Sequence, residues 1–129
     1  MSHDPADLPP EALEFLRERA LASLTTIRPD GTPHVVPVGF SWDDAAGVAR
    51  IITFDPSTKV ANIRRTGRAA VCQLDGPRWI TLEGPAEVTA DPDRVAAAVA
   101  GYAARYRDPA ERANRVAIEI AVSRVLGRW

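Results

Sequence analysis

Of the 16 basic side chains in this 129-residue chain, 15 are arginine and one, Lys59, is lysine. That lysine stands in Thr53-Phe54-Asp55-Pro56-Ser57-Thr58-Lys59-Val60-Ala61-Asn62, which reads as a strand running into a helix. A helix N-terminus carries free backbone N–H groups and a positive dipole end, an environment suited to phosphate. Ser57 and Thr58 add hydroxyl groups there, and Lys59 adds a compact charge able to swing onto a phosphate oxygen. The same residues also read as an ordinary Ser/Thr cap followed by an exposed lysine. Arg64, Arg65, Arg68 and Arg78 crowd the helix end and the next hairpin. They suit either a solvated face or a ligand with an anionic tail.

The remaining chemical inventory is thin. Of two histidines, His34 lies beside a turn and reads as a solvated or a ligand-facing strand residue. Metal sites need several His, Cys or carboxylate ligands at tight spacing, and no such cluster is written here. No nucleophile elbow, GxGxxG or P-loop is present. No side chain is singled out as catalytic, so an enzyme built from this chain needs a cofactor to carry the hard step. Cys72, in Ala69-Ala70-Val71-Cys72, reads as an inert core residue. Trp79, Tyr102 and Tyr106 suit core packing or a wall against a planar ring. Pro37 and Gly39 mark a strand segment that is an edge, a bulge or a place where a ligand approaches the backbone.

These residues need elements to hold them. Pro9-Pro10 open a short amphipathic helix over 11–19, following an expected mobile arm at 1–10. Strands are expected at 21–27, 34–42, 48–54, 68–75, 79–89 and 115–126, with Asp30-Gly31 as a hairpin turn. A short helix over 58–66 is closed by Gly67, and Asp91-Pro92 caps a longer one ending near Tyr106. Six closely spaced strands with hairpin connections argue for a small antiparallel barrel, and the length suits one domain over 1–129. A net charge of −1 disfavours a nucleic-acid partner. No stretch is apolar enough for a membrane span or a secretory leader, and a single cysteine suits a reducing cytoplasm.

Three stretches then match a known pattern. They are Thr25-Thr26-x-Arg28-x-Asp30-Gly31-x-Pro33-His34-Val35-Val36-Pro37-Val38-Gly39-Phe40, Thr53-x3-Ser57-x-Lys59-x2-Asn62, and Arg78-Trp79-x3-Glu83-Gly84. In that order they resemble the split β-barrel flavin and deazaflavin oxidoreductases, the superfamily that includes pyridoxamine 5′-phosphate oxidase. Its actinobacterial deazaflavin-dependent branch is the most similar. The resemblance implies a mainly β, FMN-binding-like, six-stranded barrel with flanking helices, forming a homodimer with cofactor sites at the subunit interface. It implies Ser57, Thr58 and Lys59 on the cofactor phosphate, with Asn62 in the same motif. It also implies Val36, Pro37, Val38, Gly39, Ile52 and Thr53 along the ring, with Arg78 and Trp79 near it. The implied cofactor is coenzyme F-420, with FMN as the alternative. The implied activity is hydride transfer to a small conjugated acceptor, foremost a biliverdin-like tetrapyrrole, without metal. An FMN oxidoreductase and a non-catalytic cofactor- or haem-binding barrel remain the other readings. Trp79 stands where the phosphate oxidases carry glutamine, which argues against that oxidase activity.

Overall fold

The computed structural model describes residues 2–129. In chain order the elements are β1 (Ser2–His3), α1 (Pro10–Arg17), β2 (Ala22–Ile27), β3 (Pro33–Val38), β4 (Ser41–Asp43) and β5 (Val48–Phe54). They continue with α2 (Thr58–Thr66), β6 (Arg68–Asp75), β7 (Arg78–Thr89), α3 (Pro92–Arg105), β8 (Arg115–Ala121) and β9 (Arg124–Arg128). All strand pairs are antiparallel, and the path runs β3-β2-β6-β7-β8-β5-β4, with β9 branching onto β7 and β1 onto β9.

The expected six strands are nine among the described residues, and the ladder does not close into a ring. Three local causes account for the difference. The stretch 34–42 breaks after Val38, where Gly39 and Phe40 leave the sheet before β4 begins. The last expected strand breaks at Val122-Ser123, so β8 pairs with β5 while β9 returns to β7. At the N-terminus, Ser2 and His3 pair with Leu126 and Val125. The expected mobile arm is therefore held: the His3 ring lies 4.8 Å from the Trp129 ring and Leu8 is buried.

β7 is long because it serves two neighbours. Its first half pairs with β6 and β9, and its second half with β8. Between them sits Gly84, where an added Cβ would fall 2.2 Å from the Ala121 carbonyl oxygen. Only a residue without a side chain lets the backbones cross that closely.

Alternation along β2 and β5 turns Leu24, Ile51 and Ala49 into a core shared with Phe15, Phe40, Val71, Ile80, Leu82, Ile118 and Ile120. In β8 strict alternation gives way to three consecutive buried residues, Val116, Ala117 and Ile118. This strand is central in its sheet and packs against α3, so both its faces are covered. On β6, Val71 and Gln73 point inward, leaving Cys72 half-buried on the opposite face and not in the core.

Two helix signals act as expected. Asp91 accepts from the Arg94 N–H at 3.0 Å at the start of α3. Gly67 closes α2 in the left-handed region at φ 68°. No helix is long and apolar enough to cross a membrane.

Candidate functional site

A cavity of about 380 Å³ opens where the end of β3, the end of β5, the start of α2 and the segment after α3 converge. Pro37, Val38 and Gly39 form one wall, and Ile52, Thr53 and Phe54 a second. Lys59 enters from α2, while Tyr102 and the segment 107–115 complete the enclosure. β3 is an edge strand, which is why Pro37 is tolerated in it: the missing N–H faces no further neighbour.

Six of the twelve residues proposed from sequence thus share one space: Pro37, Val38, Gly39, Ile52, Thr53 and Lys59. Ser57 and Thr58 sit just outside the lining, at the mouth of α2. Ser57 occupies the N-cap position, yet its side chain makes no capping bond, and its Oγ is buried without a hydrogen-bond partner. A buried hydroxyl left unpaired is costly, and an anion accepting from it removes that cost. The simple-cap reading of Ser57 therefore does not describe what its oxygen does.

Lys59 tells the same story. Among the described residues it forms no ion pair, and burial pushes its ammonium below the usual lysine value of 10.5. Its Nζ lies 5.5 Å from the Phe54 ring centroid, and the Arg112 guanidinium lies 4.4 Å from the same centroid. Phe54 thus gathers two cations that no carboxylate neutralises. Arg107 and Arg115 also line the cavity against one acid, Glu111, so its surface is net positive.

The other four lie elsewhere. Val36 packs against the core and is not part of the cavity lining. Asn62 is buried, donating to Thr26 Oγ1 at 3.1 Å and accepting from Arg65 Nη1 at 3.2 Å. Its amide thereby fastens α2 to β2. Arg78 is claimed by Glu18 at 2.8 Å and Asp75 at 2.5 Å, and those carboxylates raise its pKa. Trp79 pairs across the sheet with Leu74 and Arg128. None of these three lines the cavity of a single chain. His34 is half-buried on β3, with an Nδ1 that finds no partner.

The wall missed from sequence is the one supplied by α3 and the segment after it. Two bonds fix that segment: Asn114 Nδ2 donates to the Asp55 carbonyl at 3.2 Å, and Asp55 N–H donates to the Asn114 carbonyl at 3.1 Å. Arg115 Nη2 donates to the Ala110 carbonyl at 2.5 Å. Arg107 and Arg112 in irregular, polar chain, with Arg115 opening β8, were the available signal. Tyr102 is an aromatic wall and no plain core residue: it lines the cavity, 4.9 Å from the Tyr106 ring. On the side where a Cβ would stand, Gly39 is covered by these two rings, so it meets the cavity only through its backbone.

An antiparallel sheet with this connectivity, and a cationic cleft at the edge of β3, define a class of cofactor-binding β folds. The chain belongs to the pyridoxamine 5′-phosphate oxidase family, whose model matches residues 8–128. It is 50% identical over 117 residues to an F420H(2)-dependent biliverdin reductase of Mycobacterium tuberculosis, covering 91% of this chain and 85% of that one. Among solved structures, an F420 reductase superposes with TM-score 0.75 at 27% identity, over 92% of this chain and 98% of that one. A conserved hypothetical protein of Mycobacterium tuberculosis gives TM-score 0.79 at 24% identity, over 94% and 84% of the two chains.

Proposed function

We propose that this chain is an F-420H2-dependent reductase, delivering hydride to a conjugated acceptor of the biliverdin type. The single observation that carries the reading is the pairing of two unmet demands at the start of α2. Lys59 is a desolvated cation without a counter-ion, and Ser57 Oγ is a buried hydroxyl without a partner. A phosphate answers both, so these residues fit the phosphate-bearing deazaflavin. The 50% identity to a biliverdin reductase over most of both chains supports that cofactor and that substrate.

In this reading Ser57, Thr58 and Lys59 hold the phosphate, aided by the N–H groups opening α2. Pro37, Val38, Gly39, Ile52 and Thr53 lie along the ring system and set its orientation. The bound deazaflavin supplies the hydride, from C5 of its reduced form. Thr53 and Val38 are both buried, so that wall of the site is packed against protein. Holding donor and acceptor in register is the protein's main contribution to rate.

The homodimer belongs to the same proposal. Ile27, Val35 and Leu74 are large apolar side chains left exposed, at 41%, 56% and 67%, on the neighbouring strands β2, β3 and β6. A second copy covering them removes that surface from water. Light scattering tests this point: a mass of one chain overturns it.

Titrating the apoprotein with F-420 and with FMN tests the cofactor. Binding of F-420, followed by its oxidation when biliverdin is added to the reduced complex, is the expected result. Sub-micromolar FMN binding with no F-420 binding overturns the reading in favour of a flavin oxidoreductase. No oxidation above background in the presence of biliverdin favours a binding-only protein.

A further inference from the structure

A second cavity, of about 450 Å³, lies beside the first and is lined by Arg19, Ala20, Leu21, Tyr102, Tyr106 and Arg107. Tyr102 and Arg107 line both cavities, so the two spaces meet at one shared wall. Nothing in the proposed cofactor site uses the second space.

Its lining has a definite chemistry. Tyr106 directs its hydroxyl to the Ala20 carbonyl at 2.6 Å, with the Phe40 carbonyl and N–H also near. With that polar end engaged, what remains for a ligand is the ring. The Tyr102 ring is tilted 38° to it. Leu21, 67% exposed, adds an apolar surface. Arg19 and Arg107 are exposed guanidinium groups, and among the described residues neither forms an ion pair. The acid nearest in sequence to Arg19, Glu18, is held by Arg78 at 2.8 Å. Two aromatic rings and a leucine beside two uncompensated arginines suit a flat, largely apolar molecule with carboxylates at its margin.

We propose that this second cavity seats the carboxylate-bearing part of the acceptor. The acceptor then extends past Tyr102 and Arg107 into the first cavity, where its reacting carbon meets the reduced cofactor. The substrate class is a conjugated polycyclic or linear-oligopyrrole carboxylate, longer than either cavity alone. Arg19 and Arg107 bind its carboxylates, and Tyr102 and Tyr106 face its π-system. This inference rests on the hydride-transfer reading for its second half, but the carboxylate site stands on its own lining.

The test uses Arg19→Glu and Arg19→Gln in the full chain, with biliverdin and its dimethyl ester as probes. Equilibrium binding of each probe is followed by absorbance, without cofactor, and F-420 binding is followed separately by its fluorescence. Arg19 is exposed and, among the described residues, its side chain makes no hydrogen bond, so the fold tolerates either change. Expected is a loss of biliverdin affinity of about tenfold in Arg19→Glu, smaller in Arg19→Gln, on the scale of one charge-assisted hydrogen bond. The dimethyl ester should bind both variants as it binds the parent, and F-420 affinity should stay within about twofold. Biliverdin binding that is unchanged in Arg19→Glu overturns the proposal. So does a parallel loss of F-420 and biliverdin affinity, which assigns the cavity to the cofactor. If biliverdin binding depends on Arg19 but no F-420H2 is oxidised, the carboxylate site is supported and the reductase reading is what fails.

Discussion

The Tyr102 ring rests on the backbone of Gly39 so closely that a Cβ there would lie 2.9 Å from Tyr102 Cε2. Tyr106 crowds the same point, at 3.0 Å. This contact joins the end of β3 to α3 and sets the position of the wall that both cavities share. Gly39→Ala must therefore displace a ring that can swing only into one cavity or the other. The expected stability cost is about 1 kcal/mol, at the low end for overpacking, because side chains and not backbone must give way. The larger effect should be on ligand affinity, so thermal unfolding read beside an F-420 titration separates the two.

Lys59→Ala should weaken F-420 binding by about 1.5–3 kcal/mol, the scale of a hydrogen bond to a charged group. Isothermal titration reads this directly. Unchanged affinity removes Lys59 from the cofactor site.

The pH dependence follows from the same side chain. Lys59 holds an anion only as the ammonium, and burial lowers its pKa from 10.5 in the unliganded protein. A bound phosphate favours the charged form and raises the pKa again, so binding takes up a proton once Lys59 has begun to deprotonate. Affinity should be flat at neutral pH and fall as pH rises through the lowered Lys59 pKa, earlier than an ordinary lysine allows. Lys59→Arg, which stays charged, should abolish that fall. Titrations on either side of the transition check the sign.

Asn62→Ala should cost about 1–3 kcal/mol of stability, since it leaves the buried Thr26 hydroxyl without its partner. F-420 affinity should change far less than in Lys59→Ala. A large affinity loss with little change in melting temperature would restore Asn62 to the cofactor site.

Arg105 joins three parts of the chain, donating to the Glu18 carbonyl at 2.9 Å, the Phe40 carbonyl at 2.7 Å and Gln73 Oε1 at 2.5 Å. Gln73 is fully buried and its amide nitrogen donates to the Phe15 carbonyl at 2.8 Å. Arg105→Ala should destabilise by about 3 kcal/mol, because the Gln73 oxygen and the Phe40 carbonyl are left without this donor. Chemical denaturation measures it. Tyr106→Phe, which removes the hydroxyl that donates to the Ala20 carbonyl and accepts from the Phe40 N–H, should cost less than Arg105→Ala.

Much of the fold was legible in local signals. Gly67 after an amphipathic turn, Asp91 before Pro92, and Asp30-Gly31 between two β-branched runs each act over a few residues, where backbone sterics decide. The breaks after Val38 and at Val122 were not legible. They arise because the two halves of each segment find different partners: β2 and then β5 for the first, β5 with the second half of β7 and then the first half of β7 for the second, and partner choice is a long-range matter. The N-terminal arm was misread for a similar reason: Ser2 and His3 gain order from Val125 and Leu126, at the far end of the chain.

The candidate site divides along the same line. The sequence alone determined that Ser57-Thr58-Lys59 open a helix after a strand and that Pro37–Gly39 mark an edge, a bulge or a ligand approach, through helix-end signals and the N–H that proline lacks. Tertiary structure alone decided that Asn62 faces inward to Thr26, that Arg78 is held by Glu18 and Asp75, and that Ser57 Oγ is left unpaired. It also decided the second wall, by docking Tyr102, Arg107 and Arg112 against strands some fifty residues earlier in the chain. Local residue types specify what a side chain can bind. Packing decides whether another part of the same protein has already bound it.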